Sequence, residues 1–138
     1  MDTLAVIVPG TPVPQGSKNA YLRGGRIVLV ESAKALKSYR AEVSAAVRSA
    51  ATEVGFRKVA RPGAVHIHIS FSFVRPKTNR NPDHTVKPDI DKLCRTILDG
   101  ITQTEQVFED DSQVTMLTAL KQYADNAETL IVVTRATP

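Results

Sequence analysis

The sequence predicts an α+β fold in which two main helices pack on a mixed or antiparallel sheet. Several segments alternate apolar and polar residues as strands do, and two others have the apolar periodicity of helices. The predicted elements follow one another in the order strand, hairpin, helix, strand, helix, strand, strand. A chain of 138 residues is long enough to bury one core and too short for two. We therefore expect residues 1–138 to form a single compact domain.

A strand and a hairpin are predicted near the amino terminus. Residues 3–8 are rich in apolar and β-branched side chains, and the prolines and glycine that follow end the strand. Residues 20–30 place Gly24 and Gly25 between two apolar flanks. This pattern favours a hairpin whose turn lies at the glycines.

Two segments have the apolar periodicity of helices. The first follows Ser32, which suits the N-cap position, and continues to about Val54 before Gly55 ends it. The second begins after Pro88 and ends near Gly100, and its apolar stripe is the clearest pattern in the chain. We expect this stripe in the core. It consists of Ile90, Leu93, Cys94, Ile97, Leu98 and Ile101.

Three more strands and one long loop complete the prediction. Residues 64–74 alternate polar and apolar side chains and predict a half-buried strand. Residues 75–88 contain three prolines and several basic side chains, so we expect a loop that becomes ordered when it contacts phosphate. Residues 114–123 and 129–135 predict the last two strands, with a turn at Asp125-Asn126.

The charge of the chain is unevenly distributed around a net value of +4. Between residues 14 and 61 lie ten lysines and arginines and three acids, whereas residues 99–112 contain five acids and no basic side chain. A bound cation would relieve the repulsion in the acidic stretch, although a solvated acidic loop would carry the same pattern. The basic stretch suits a polyanionic partner.

Composition also excludes several classes of protein. No apolar run approaches the roughly 18 residues that a membrane span needs. The amino terminus lacks the basic start and long apolar stretch of a signal peptide. The single cysteine, Cys94, cannot form an internal disulfide. We therefore expect a cytoplasmic protein.

Two pairs of acids are candidate metal ligands. Asp89 and Asp91 lie at the start of the second helix, where they would also serve as N-cap and as charge that complements the helix dipole. Asp110 and Asp111 precede the strand at 114–123. If the two pairs converge, their oxygen atoms suit Mg²⁺, which proteins hold with few carboxylates plus substrate phosphates. A carboxylate-held metal in a basic protein is typical of enzymes that cleave phosphodiesters.

Both acidic pairs lie in motifs that resemble one known family. The run from Lys87 to Ile101, followed by Asp110-Asp111-Ser112-Gln113-Val114, resembles the signature of the RusA-type Holliday junction resolvases of bacteria and their phages. The segment 10–18 resembles the family's amino-terminal region. The resemblance implies a RusA-like fold and a homodimer that binds four-way DNA junctions. It also implies paired, symmetric nicks that depend on Mg²⁺, with Mn²⁺ as a substitute, in DNA recombination and repair in a bacterial or phage-infected cell.

The resemblance also assigns roles to individual residues. It implies metal-binding acids at Asp89, Asp91 and Asp111, with Asp110 as the adjacent additional candidate. Two positions depart from the family pattern, because Lys92 replaces the usual asparagine and Arg95 stands where the family has its catalytic lysine. Arginine keeps the positive charge but is a poorer proton donor. The role of the family lysine therefore stays open between Arg95 and Lys92.

Basic side chains in the predicted hairpin and in the loop before the second helix are expected to contact DNA phosphates. They are Lys18, Arg23, Arg26, Arg75, Lys77, Arg80 and Lys87. Two other functions remain open. One is a noncatalytic branched-DNA-binding protein, in which the acids only cap the helix and face the solvent. The other is a small metal-dependent nuclease that acts on flaps.

Overall fold

The computed structural model describes residues 2–16 and 25–136, with side chains from residue 33 onward in the second range. Two helices and a mixed four-stranded sheet form one compact domain, which confirms the predicted α+β class. None of the described helices is both long and apolar enough to cross a membrane. The elements are β1 (Thr3–Pro9), α1 (Gly25–Val54), β2 (Val65–Phe73), α2 (Ile90–Thr104), β3 (Val114–Tyr123) and β4 (Glu128–Arg135).

The strands are arranged in the order β1-β4-β2-β3. β4 is antiparallel to both of its neighbours, whereas β2 and β3 are parallel and are connected through α2. Because β2 lies between β3 and β4, residues 124–127 pass across the end of β2 and do not form a paired hairpin. The backbone N–H of Ala124 donates to the carbonyl of Phe73 at 2.8 Å at this crossing.

The core lies between the sheet and the two helices. β2 alternates as predicted, and its apolar side chains from Val65 to Phe73 are buried. The apolar stripe of α2 is also confirmed, because Leu93, Ile97 and Ile101 are fully buried and Cys94 is nearly so. These side chains fix the rotation of α2 about its axis. The opposite face of α2 is therefore left for the solvent.

The two helices approach each other closely at Gly100. A Cβ atom at this position would lie 2.8 Å from a methyl group of Val43 on α1. Ser44 Oγ donates a hydrogen bond to the Gly100 carbonyl at 2.7 Å, so both helices are joined at the same point. Only glycine allows this contact without a shift of Val43 or of one helix.

The predicted hairpin at 20–30 is wrong for the residues that the structure describes. α1 begins at Gly25, so residues 25–30 are helical and Ser32 lies inside the helix instead of at its N-cap. Periodicity does not separate helix from strand in a short apolar run. Extending an existing helix also costs less than forming a separate structure beside it. The predicted turn at residue 24 and the DNA-contact residues Lys18 and Arg23 lie outside the described residues.

Candidate functional site

The start of α2 presents the first predicted acid. Asp89 occupies the N-cap position, and its backbone carbonyl accepts a hydrogen bond from the N–H of Leu93 at 3.1 Å. Its side chain makes no capping hydrogen bond. Instead, Asp89 Oδ2 lies 3.2 Å from Lys87 Nζ at the exposed surface. The Asp89 carboxylate therefore does not cap the backbone N–H groups of α2.

The second acid of this pair lies in the first turn of α2. Lys92 Nζ donates to Asp91 Oδ2 at 2.8 Å. This hydrogen bond is the main reason why the pKa of Asp91 lies below its ordinary value. Asp91 is thus ionised at neutral pH, and the ammonium group of Lys92 is engaged with it.

A cleft of about 310 Å³ runs along the solvent-facing side of α2, and we call it the α2 cleft. Positions 91, 95 and 99 are four residues apart, so they lie one above another on this helix face. The cleft brings together two of the predicted acids, Asp91 and Asp111, whereas Asp89 does not line it. Its lining consists of Asp91, Cys94, Arg95, Leu98, Asp99, Asp111 and Leu117.

The acids from the second motif differ in their contacts. Asp110 caps a 3₁₀ turn (Asp111–Gln113), and its side chain accepts a hydrogen bond from the N–H of Ser112 at 3.0 Å. This bond lowers the pKa of Asp110, and Arg61 lies 3.9 Å from the same carboxylate. Within residues 2–16 and 25–136, the side chain of Asp111 has no hydrogen bond or ion pair. Asp111 is therefore the acid of this pair that is open to a ligand.

The position of Asp111 depends on a buried glutamine two residues later. Gln113 Nε2 donates to the carbonyls of Val59 and Gly63, each at 2.9 Å. Its Oε1 accepts from the N–H groups of Glu109 at 2.7 Å and Asp110 at 3.0 Å. Both ends of the amide are thus fully used. Gln113 joins the acidic turn to the segment before β2.

Arg95 is the cation of the α2 cleft. It follows Asp91 by one helical turn and is exposed. Among the residues that the structure describes, its guanidinium has no hydrogen bond or ion pair. Two residues are candidates for the role of the family lysine. Lys92 is hydrogen-bonded to Asp91, whereas Arg95 has no hydrogen bond or ion pair among the described residues.

Sequence reasoning missed Asp99 and Gln15. Asp99 lines the α2 cleft, and Gln15 Nε2 donates to Asp99 Oδ2 at 2.5 Å. The spacing of four residues from Asp91 to Arg95 and again to Asp99 was the signal that places Asp99 on the cleft face. Gln15 carries no such signal, because its contact with Asp99 joins residues 84 positions apart.

Hydrogen bonds and a ring contact hold the loop between β2 and α2, while the prediction that it becomes ordered on phosphate contact stays a prediction. Arg75 lies with its guanidinium 4.7 Å from the centre of the Tyr123 ring and donates to the carbonyl of Asn81 at 2.6 Å. Asn79 Nδ2 donates to the hydroxyl of Tyr123 at 2.9 Å. Side chains thus supply the partners that the loop's polar groups need.

The same loop buries His84 between two aromatic rings. The ring centroids of Phe73 and Tyr123 lie 4.5 and 4.8 Å from that of His84. His84 is 7% exposed, and its Nδ1 has no hydrogen-bond partner in the described part of the chain. Burial lowers the pKa of His84, so the ring is neutral at pH 7.

The predicted DNA-contact residues of this loop fall into two groups. Lys77, Arg80 and Lys87 are exposed, and among the described residues only Lys87 of these three pairs with an acid. Arg75 is engaged within the loop. The backbone of Arg26 lies in α1, whereas its side chain is not among those that the structure describes.

No group of three or more acidic, histidine or cysteine side chains that could hold a metal ion occurs within residues 2–16 and 25–136. The donor chemistry of the α2 cleft nevertheless fits a hard cation, because Asp91 and Asp111 offer exposed carboxylate oxygens. Mg²⁺ suits such a site, since it keeps several waters and needs only one or two carboxylates from the protein.

Comparison with known proteins found one family. The family model described as endodeoxyribonuclease RusA matches residues 9–134, a range that contains both acidic motifs and every residue of the α2 cleft. A search of curated proteins found no match.

Proposed function

Because the chain belongs to the RusA family of endodeoxyribonucleases, we propose that it resolves four-way DNA junctions by Mg²⁺-dependent, paired and symmetric cleavage. The observation that carries this proposal is the α2 cleft, which combines Asp91, Asp111 and the unengaged guanidinium of Arg95. Acids for a metal and a cation for a phosphate are the groups that phosphodiester hydrolysis needs.

The acids would hold the metal. Asp91 and Asp111 are the primary ligands, and Asp89, which lies outside the α2 cleft, is a further candidate because its carboxylate makes no capping hydrogen bond. Asp110 is a weaker candidate, since it caps the 3₁₀ turn. A bound Mg²⁺, or Mn²⁺ in its place, supplies an activated water and neutralises charge on the scissile phosphate.

Arg95 takes the role of the family lysine in this proposal. Arginine side chains in proteins keep their positive charge, so this residue would stabilise negative charge on the phosphate and would not transfer a proton. Lys92 serves a different purpose, because its hydrogen bond to Asp91 keeps that carboxylate ionised.

The enzyme would act as a homodimer on the junction. Two symmetric nicks need two active sites, and a two-fold dimer matches the symmetry of the substrate. Water, DNA phosphates or a second subunit would complete the metal coordination, because the described part of one chain clusters no three metal-binding side chains. Exposed Lys77, Arg80 and Lys87 would bind the DNA backbone, together with Lys18, Arg23 and Arg26 from the segment around the start of α1.

We place this activity in a single RusA-like endonuclease domain at 1–138 and in the cytoplasm of a bacterial host. The test incubates the protein with a synthetic four-way junction, a linear duplex and a flap, each with Mg²⁺ or with EDTA. Paired symmetric nicks in the junction alone, only with Mg²⁺, support the proposal. Binding without any cleavage would show a noncatalytic junction-binding protein, and preferential flap cleavage would show a different nuclease; either result overturns it.

A further inference from the structure

We propose that Asp99 and Gln15 are positioning residues that hold the guanidinium of Arg95 in the α2 cleft. They do so by fixing the segment Val13–Gly16 against α2, so that the backbone of Gly16 forms one wall of the arginine's site. This inference rests on the proposed role of Arg95 in cleavage. It assigns a function to contacts that join the amino-terminal segment to the cleft.

Three hydrogen bonds hold this segment on α2. The N–H of Gln15 donates to the carbonyl of Lys92 at 3.0 Å. Thr96 Oγ1 donates to the carbonyl of Val13 at 2.8 Å. The third bond is the short one from Gln15 Nε2 to Asp99 Oδ2 at 2.5 Å. The segment is thus bonded to three successive turns of α2.

The amide of Gln15 is oriented by a cation on one side and an anion on the other. Arg40 Nη1 on α1 donates to Gln15 Oε1 at 3.0 Å, while Gln15 Nε2 donates to Asp99. Both bonds involve a charged group, and such hydrogen bonds are stronger than neutral ones. The chain Arg40–Gln15–Asp99 therefore joins both helices through the amino-terminal segment.

Gly16 brings the backbone of this segment against Arg95. A Cβ atom at position 16 would lie 2.5 Å from Arg95 Nη1 and 3.5 Å from its Cζ. The backbone of Gly16 also has a φ of +86°, a conformation that L side chains rarely adopt. Any side chain here would displace the guanidinium.

This packing matters because the guanidinium of Arg95 has no hydrogen bond or ion pair in the described part of the chain. A free arginine side chain samples many rotamers, and a cation must be placed in advance to stabilise a developing charge. Gly16 limits the positions that the guanidinium can occupy. Asp99 and Gln15 keep Gly16 in place.

The first experiment compares Asp99→Ala with Asp99→Asn. Cleavage of a four-way junction is measured under single-turnover conditions in Mg²⁺, and junction binding is measured in Ca²⁺. Asp99→Ala is expected to lower the cleavage rate about tenfold or more while changing Kd less than about twofold, because misplacement of a catalytic group slows the chemical step. Asp99→Asn is expected to retain most of the rate, since its Oδ1 still accepts from Gln15.

The second experiment uses two glycines with positive φ. Gly16→Ala is expected to lower the rate about tenfold or more through the clash with Arg95. Gly10→Ala is the matched control, because Gly10 has a φ of +102° but no atom lies within 4 Å of the position of its Cβ. Equal losses of rate in the two variants would mean that backbone strain alone is responsible, and would overturn the proposal.

The third experiment tests the coupling to Arg95 directly. In an Arg95→Ala background, Asp99→Ala is expected to cause no further loss of rate, because the group that it positions is gone. The same fold-loss in both backgrounds would show a merely structural role. The Nε–Hε resonance of Arg95, assigned by its absence in Arg95→Ala, should shift or broaden in Asp99→Ala. This resonance tests the positioning even if the wild type cleaves no junction, a result that would overturn only the proposed function.

Discussion

Lys121 Nζ donates a hydrogen bond to the backbone carbonyl of Pro88 at 2.9 Å, which joins the carboxyl-terminal part of β3 to the residue before Asp89. The same ammonium group donates to the carbonyl of Val86 at 2.6 Å. The acidic start of α2 is therefore held by a lysine from the edge strand of the sheet. This contact joins the carboxyl-terminal part of β3 to the segment that leads into α2.

Replacing Lys121 should loosen the start of α2. Lys121→Met leaves the carbonyls of Val86 and Pro88 without their donor, and we expect a loss of about 1–3 kcal/mol in the free energy of unfolding. Urea denaturation measures the loss, and amide hydrogen exchange should accelerate at residues 84–90. The control is Lys58→Met, an exposed lysine, which should change stability by less than about 0.5 kcal/mol. Equal effects of the two substitutions would contradict the anchoring role.

Replacing the side-chain NH₂ group of Gln113, which donates to two backbone carbonyls, should lower the stability of the fold. Gln113→Glu directs a carboxylate at the carbonyls of Val59 and Gly63, so we expect a loss of about 3 kcal/mol in the free energy of unfolding at neutral pH. The loss should shrink in acid, because a protonated glutamic acid regains one donor. Urea denaturation at pH 7 and pH 5 measures both effects. Gln103→Glu, on the exposed side of α2, is the control and should be nearly neutral.

Much of the fold could be predicted from the sequence, because its strands and α2 have strong patterns. The alternation at 65–73 and the stripe from Ile90 to Ile101 each have one periodicity that burial then confirms. The start of α1 was missed because a short apolar run fits helix and strand equally well. The neighbours in the sheet were also beyond prediction, since a short connection after Tyr123 normally indicates a hairpin, and here it crosses β2.

The candidate site could be predicted only in part. The acids at 89, 91 and 111 stand out because of their motifs, and the structure places two of them on one cleft. The residues that position the side chains of the site carry no recognisable motif in the sequence. Gln113 acts through buried backbone carbonyls some fifty residues away, and Gln15 acts through Asp99, 84 residues away. Such long-range hydrogen bonds leave no local pattern in a single sequence.

Burial of His84 should make the stability of the protein depend on pH. Its pKa is lowered in the folded chain, so the unfolded chain binds more protons below the ordinary value of about 6.5. Stability is therefore fully present above pH 6.5 and is lost as the pH falls from there towards the folded-state value. The positive charge of Lys121 also lowers the pKa of His84.

The measurement is urea denaturation of wild type and His84→Phe from pH 5 to pH 8. Phenylalanine keeps the ring packing against Phe73 and Tyr123 but cannot be protonated, so its stability should fall less between pH 7 and pH 5. His66→Gln, on the half-exposed side of β2, is the control and should keep the wild-type slope. A His84→Phe profile parallel to that of the wild type would contradict this prediction.

Arg95 and Lys92 should differ in their effect on cleavage. Arg95→Met removes the unengaged cation of the α2 cleft, and we expect the single-turnover rate to fall about a hundredfold, as when a charge-stabilising donor is removed from other active sites. Lys92→Met should cost much less, because the ammonium of Lys92 is engaged with Asp91. Arg95→Lys keeps the charge and should retain more rate than Arg95→Met. A larger loss in Lys92→Met than in Arg95→Met would give the role to Lys92.

The acids of the α2 cleft should be needed for cleavage but not for folding or binding. Asp91→Asn and Asp111→Asn change exposed side chains, so the Tm should stay the same, while the loss of a metal ligand should lower cleavage by about a hundredfold or more. Junction affinity in Ca²⁺ or EDTA should remain close to that of the wild type, because phosphate contacts come from basic side chains. Asp125→Asn, in the exposed connection between β3 and β4, is the control with the same change of charge. If Asp91→Asn cleaved the junction at the wild-type rate in Mg²⁺, Asp91 would not be a ligand of the catalytic metal, and the proposed assignment of the cleavage site would be wrong.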